Sequence, residues 1–380
     1  MNVALVHDWL NQLGGAEDVL ESIVDLFPEA PIYTSLYWPE KMPAHWRAWD
    51  IRTSFIDRLP LAQKRQQLYL PLYPIAFEQF DFSGYDLVVS SKSGFCHGII
   101  TGPETLHVCY CHAPTRYLWR YHQYAAREQL NPVVRFVLPP VLTYLRLWDR
   151  LAADRVDHFI ANSEIVRRRI ARFYGRDSVV IYPPVDTARF EPSVRQDDYY
   201  LFVGRLLPYR RLDLLVEAFN RLGYPLIIAG RGRARARLEA LAGPNITFTG
   251  YVPDADLPDL VARCRAFLWP GEEDFGIAPV QAMAAGRPVI AFGAGGAVDT
   301  VVPGTGALFK EQSAAALVDA VERFDPDDVD PAFIRAHALQ FDADVFRRQL
   351  SAFIERKVEE HHALNDAQTE RAPWQRSSKR

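Results

Sequence analysis

Short apolar runs alternate with amphipathic stretches along almost the whole chain. Runs at 3–10, 31–37, 86–91, 107–112, 158–163 and 178–184 have the length of buried strands. Between several of them the apolar positions recur at helical spacing, over 16–27, 134–153 and 164–174. The pattern then restarts, with strands predicted at 199–204, 225–230, 246–252, 266–271 and 288–293 and helices at 212–222 and 279–285. Strands alternating with helices predict an α/β fold: two Rossmann-like, doubly wound, mostly parallel domains.

The break between the two series carries Pro183, Pro184 and Pro192 among several charges, which reads as a linker. Residues 1–185 form the expected N-terminal domain, 186–198 the linker and 199–340 the C-terminal domain. A helix over 341–360 follows, and the polar stretch 361–380 is expected to be a disordered tail. Ligands of such sheets lie outside the carboxyl ends of the strands, so two facing domains predict a central cleft there.

Composition narrows the field. Apolar residues make up 49% of the 380, enough for two cores, and the net charge of −4 offers no global field for nucleic acid. Four cysteines, Cys96, Cys109, Cys111 and Cys264, are too sparse for a disulfide framework and fit a reducing cytoplasm. His107, Cys109, Cys111 and His112 cluster in sequence, but no second ligand pair at zinc spacing accompanies them, and no metal site is expected. The chain opens directly on a strand-like run, without a secretory pattern, and its longest apolar stretches are too short to span a bilayer.

Candidate chemistry sits at the predicted strand ends. After the strand at 199–204 come Gly204 and Arg205, then Arg210; guanidinium forks beside a helix start suit a diphosphate. The next strand ends in Gly230-Arg231-Gly232, a weak signal alone. The strongest segment is 269–301. Its acidic loop Glu272-Glu273-Asp274 would repel phosphate, so it is expected to face sugar hydroxyls, which carboxylates accept well. Backbone N–H groups near Gly276–Ala278 can meet phosphate oxygens, Gln281 one turn on can bond a ribose, and Gly293–Gly296 offers a second cradle. In the first half, Gly14-Gly15 follow the first strand at a helix start, and His112 ends a strand on the cleft side while His107 begins it, away from the cleft.

The order GRL-x-P-x-R, G-x-G, E-x-F-G, A-M-A-x-G-x-P-V-I and a Gly-Gly loop resembles glycosyltransferase family 4, over about residues 1–350. The strings YCHAPTRYLW, VIYPPVDTARF and GEEDFGIAPV resemble its bacterial O-antigen and exopolysaccharide mannosyltransferases. The resemblance implies the GT-B fold, with the acceptor on the N-terminal domain and the nucleotide sugar on the C-terminal one. It implies that Arg205 and Arg210 bind the donor diphosphate, Glu273 the sugar hydroxyls, Gln281 the ribose, Val252 the base by its backbone, and Gly295-Gly296 the phosphate side. Gly14-Gly15, Gly204, Gly230, Phe275, Gly276 and Ile277 would line the donor, and His112 would reach the donor sugar near the reacting carbon.

Three positions depart from the pattern: Arg210 stands for lysine, Gln281 for the second glutamate and Asp299 for another glutamate. The expected activity is a retaining hexosyl transfer, of mannose from GDP-mannose, to a glycan or polyprenyl-linked acceptor, with no metal or other cofactor. Six of the eight tryptophans lie before residue 150, and with Lys64, Arg65 and the run at 68–74 they suit a peripheral contact with the inner face of the plasma membrane. Gln281 also allows a second reading, a catalytically weak sugar-nucleotide-binding subunit of a polysaccharide assembly complex. A dinucleotide dehydrogenase is disfavoured, since NQLGGAEDVL lacks G-x-G-x-x-G.

Overall fold

The computed structural model describes residues 1–121 and 132–370. The first sheet has seven parallel strands: β1 (Val3–His7), β2 (Ile32–Thr34), β3 (Ile51–Thr53), β4 (Leu87–Lys92), β5 (Leu106–Cys111), β6 (His158–Ala161) and β7 (Ser178–Val180), in the order β3-β2-β1-β4-β5-β6-β7. The second has six: β8 (Tyr200–Val203), β9 (Leu226–Ala229), β10 (Ile246–Gly250), β11 (Ala266–Trp269), β12 (Val289–Phe292) and β13 (Gly306–Phe309), in the order β10-β9-β8-β11-β12-β13. The order therefore reverses between β1 and β4, and between β8 and β11. These are the two points where such sheets open a crevice for a ligand.

The strands are apolar runs rather than alternations because both faces of each sheet are covered. In β1, Leu5 points to a layer holding Val19, Leu20 and Ile23, while Ala4 and Val6 point to one holding Tyr73, Phe77 and Phe95. The second sheet has its own core, from Leu201 and Phe202 through Phe267 and Leu268 to Ile290. Two strands lie outside the sequence reading. β3 is a three-residue edge, half-exposed throughout, and β13 opens on a glycine, so neither carries a long enough apolar run.

The segment after the second domain returns to the first. Val185 exchanges backbone hydrogen bonds with Phe341 (3.0 Å) and Ala343 (3.1 Å), and the helix Ala343–Glu370 then buries Phe346, Leu350, Phe353 and Ile354 in the N-terminal core. Residues 361–370, expected as disordered tail, are the end of this helix; once its apolar face is docked, good helix formers propagate it. Positions 371–380 of that expected tail lie outside the described residues.

Leu350 is fully buried beneath this returning helix. Leu350→Ala should cost about 2–5 kcal/mol in urea denaturation, the range for a core leucine. A loss below about 1 kcal/mol would mean the helix is not part of the N-terminal core.

Candidate active site

The cleft is built where the two reversal points meet. At the end of β1, the Asp8 carboxylate accepts four backbone N–H bonds, from Ser93, Gly94 and Phe95 at 2.6 Å and Cys96 at 2.8 Å, which pins the loop after β4. The chain then reaches Gly14 and Gly15, where the helix Gly15–Leu26 begins with no side-chain cap. A Cβ on Gly15 would lie 2.7 Å from Cδ1 of Ile277, the first residue of the helix Ile277–Ala284. That helix also starts without a side-chain cap, from Gly276 at φ 96°, a left-handed conformation suited to glycine. Two helix starts, one from each domain, thus meet across the cleft with first-turn N–H groups and positive dipole ends, the arrangement that favours an anion.

Arginines flank this point. Arg205 is exposed at the end of β8, with Nη1 3.4 Å from the Gln12 side chain of the other domain. Arg210 is mostly buried, its guanidinium 4.7 Å over the Trp269 ring and Nη2 3.2 Å from Glu273 Oε1. Gly204 lies against it: a Cβ there would sit 2.9 Å from Arg210 Nη1. Two buried polar atoms of this pair, Arg210 Nε and Glu273 Oε1, make no hydrogen bond to the protein. On the same rim, Gly230 packs on the Gly204 backbone and donates its N–H to Gly250 (2.6 Å), two residues before the half-buried Val252.

The acidic loop departs from expectation. Its carboxylates are met by three N-terminal arginines that the sequence reading did not single out. Arg120 grips Glu272 with both amino groups, at 2.7 and 2.9 Å. Arg169 bonds Glu272 at 2.7 Å and also Asp274. Arg116 bonds Asp274 at 2.6 Å through Nε and Glu273 Oε2 at 3.2 Å. The hydrogen bond from Arg120, with the fields of Arg169 and Arg116, holds the Glu272 carboxyl below its ordinary range. Of the three acids, Glu273 alone is left with a buried oxygen that has no hydrogen bond.

Other expected contacts are redirected. The Phe275 ring, expected at the donor, is buried against Tyr182 and Phe341, at ring distances of 5.7 and 5.6 Å, and anchors the loop. The Gly296 N–H donates to the Glu273 carbonyl at 2.9 Å, so it is spent on holding the acidic loop rather than on a phosphate. Gly295 bridges Glu273 at φ 69°, packed on its backbone. Asp299 accepts from the backbone N–H of Glu164 at 2.7 Å and so caps a helix of the other domain; burial raises its carboxyl. Gln281 lies half-buried in the helix Ile277–Ala284.

His112 follows β5, buried, with Nε2 2.9 Å from Ser91 Oγ. Burial, then the positive fields of His7, Lys92 and Arg116, push its pKa down to about 3. The ring is therefore neutral at physiological pH and acts as a hydrogen-bonding group, not a charge. His107, at the other end of the strand, is fully buried on Ser90 (2.9 Å) and is pushed to about 3 chiefly by burial. Cys109 and Cys111 sit in a core cluster, and no group of three or more metal-ligating side chains occurs among the described residues.

Comparison with known proteins bears on the fold and family. A family model described as Glycosyltransferase Family 4 matches residues 13–189, and one described as Glycosyl transferases group 1 matches 186–332. The D-rhamnosyltransferase WbpZ of Pseudomonas aeruginosa is 30% identical over 183 residues, 45% of this chain and 47% of that protein. A GDP-mannose-dependent alpha-mannosyltransferase of Mycolicibacterium smegmatis is 33% identical over 175 residues, 41% of this chain and 44% of that protein. The chain thus spans about half the length of the curated relatives it matches. The crystal structure of Anabaena HepE in complex with UDP superposes with a TM-score of 0.69 at 19% identity, covering 94% of this chain and 100% of that one. Sucrose-phosphate synthase from Thermosynechococcus elongatus gives 0.69 at 18%, with the same coverage. At these identities the likeness is one of fold.

The buried histidines set a pH dependence. The His107 pKa in the fold, about 3, lies below its unfolded value of 6.5, so only the unfolded chain takes up the proton between them. Its contribution is complete above the unfolded value and is lost as pH falls, at about 1.4 kcal/mol per unit. Between pH 7 and pH 5 the parent protein should therefore lose about 2 kcal/mol more than His107→Gln in urea denaturation. Equal losses would mean His107 is protonated in the fold.

Proposed function

The chain belongs to glycosyltransferase family 4, in the GT-B architecture of two facing Rossmann-like domains, and on that premise we propose that it is a retaining hexosyltransferase. It moves mannose from GDP-mannose to a glycan or lipid-linked acceptor in cell-surface polysaccharide synthesis. The observation that carries the reading is the pair of buried atoms without hydrogen bonds, Arg210 Nε and Glu273 Oε1, beside two uncapped helix starts. One is a charged donor and the other a charged acceptor. Side by side they complement a phosphate oxygen and a sugar hydroxyl, the two ends of a sugar diphosphate. Mannose and guanosine are chosen because one relative is a GDP-mannose-dependent mannosyltransferase.

In this mechanism the diphosphate lies between the helix starts at Gly14-Gly15 and Gly276-Ile277, with Arg205 and Arg210 on it. Negative charge grows on the leaving diphosphate as the glycosidic bond breaks. The two guanidinium groups and the helix dipoles stabilise that charge, the task a divalent metal performs elsewhere. Glu273 Oε1 accepts from a hexose hydroxyl and fixes the ring. The neutral His112 offers a hydrogen bond near the anomeric carbon, and Val252 and Gln281 lie further along, toward base and ribose. The leaving phosphate oxygen takes the acceptor proton, so no side chain is assigned as general base. Closure of the lobes excludes water and aligns the acceptor.

The acceptor side belongs to the N-terminal domain. Leu61, Leu68 and Ile75 are exposed there, alongside the exposed Lys64 and Arg65. Apolar side chains ringed by cations suit the anionic inner face of a plasma membrane, where the protein would bind peripherally. No helix among the described residues is long and apolar enough to cross a membrane.

Transfer from GDP-mannose, measured with EDTA present, tests this reading. Arg205→Ala and Arg210→Ala should each lower kcat/KM, the latter about 100-fold or more. Full activity in both variants would remove the mechanism. Tight GDP-mannose binding by the parent protein without transfer or hydrolysis would instead favour the non-catalytic subunit.

A further inference from the structure

The arginines that meet the acidic loop share one buried support. Arg116 and Arg120 bracket the four-residue helix Arg116–Trp119, too short to hold itself. Thr115, just before Arg116, has its hydroxyl 3.0 Å from Asp149 Oδ1 and 2.7 Å from the Gly94 carbonyl. Trp119, just before Arg120, donates its indole N–H to Asp149 Oδ2 at 2.7 Å. Arg169 lies on the helix Glu164–Tyr174, whose last residue donates its hydroxyl to the same Oδ2 at 2.8 Å. Asp149 is fully buried, with the equally buried Lys92 Nζ 3.9 Å away. Burial opposes the charge on Lys92, but Asp149 together with Cys111, Asp8 and Cys109 outweighs it and holds the ammonium above its ordinary range.

A buried carboxylate with this many donors is costly unless the geometry it enforces is needed. What it enforces lies at the cleft. Three consecutive carboxylates would splay apart by mutual repulsion. The guanidinium groups neutralise them in place, and Arg116 occupies one oxygen of Glu273 while the other stays turned to Arg210. The contacts are graded in exposure: 12% for Arg169, 7% for Asp274 and 11% for Glu273, but 41% for Arg116, 29% for Arg120 and 25% for Glu272. Salt therefore weakens the part-exposed pairs of Arg116 and Arg120 first, while the buried Arg169–Asp274 pair is screened least.

We propose that Arg116, Arg120 and Arg169 are positioning residues that reach across the cleft to aim Glu273 at the donor sugar, and that buried Asp149 holds all three in register. The functional half rests on the glycosyltransferase reading. The structural half, an ionic latch between the lobes, stands apart from it.

The two halves have separate readouts on the full chain. The first is the distance between spin or fluorescent labels on the two lobes, without ligand, from about 0.05 M to about 0.5 M salt. The parent protein should open as salt rises, while Arg120→Ala combined with Arg169→Ala should be open throughout. The second is steady-state transfer from GDP-mannose. Arg120→Ala touches Glu272 and leaves Glu273 intact; it should raise donor KM about tenfold with kcat within about twofold, and Arg120→Lys should recover part of the loss. Trp119→Phe, which removes one Asp149 donor and no guanidinium, should reproduce both effects in smaller measure; it is used beside Asp149→Asn in case the latter fails to fold. A salt-independent distance that the double variant leaves unchanged, or an unchanged donor KM in Arg120→Ala, overturns the proposal. A parent protein that transfers no sugar but still opens with salt overturns the enzymatic reading and leaves the latch standing.

Discussion

Three adjacent carboxylates at the mouth of a cleft suited to phosphate repel one another and repel the ligand, so they persist there only if cations meet them. Within the C-terminal domain Arg210 serves Glu273 alone. The remaining charge is met from the other lobe, by Arg116, Arg120 and Arg169. This one requirement ties the two domains together across the cleft. It also explains why the N-terminal domain spends a buried ion pair, Lys92 with Asp149, on a four-residue helix.

The rest of the site follows from sheet topology. Each sheet reverses its strand order once, and at each reversal the chain turns into a helix with an uncapped start. Gly276 adopts a left-handed backbone that favours glycine, and Gly15 lies against the tip of the Ile277 side chain. The positive ends of two helices therefore share one point with Arg205 and Arg210. Nothing at that point demands a particular sugar or base, which is how one architecture can serve many donors.

The α/β architecture of two parallel sheets and most elements were legible because their signals are local. The helices Glu164–Tyr174 and Leu212–Leu222 end where the sequence reading ends them, since Gly175 (φ 61°) and Gly223 (φ 72°) terminate each in a left-handed turn. Arg205, just past β8, and Gly276, at a helix start, stand at such local signals, whereas Arg210 closes a short 3-10 turn and Glu273 lies in the loop after β11. The partners of the acidic loop were not legible. Arg120 and Glu272 lie 152 residues apart, and an ion pair over that distance leaves no periodicity or spacing to read. The packing of Phe275 is likewise not local: its ring is buried against Tyr182 and Phe341, far off in the chain. The sequence contained one usable hint, the arginine-rich helix EIVRRRIARFY opposite an acidic loop, which becomes informative only once the topology sets them face to face.

The central claim is that Arg210 Nε and Glu273 Oε1 are the two halves of a sugar-diphosphate clamp. A crystal structure of the chain with intact GDP-mannose tests it most directly. The clamp predicts a diphosphate oxygen within about 3 Å of Arg210 Nε and a hexose hydroxyl at the same distance from Glu273 Oε1. A nucleotide sugar bound elsewhere, or one that leaves both atoms without a hydrogen bond, would contradict it.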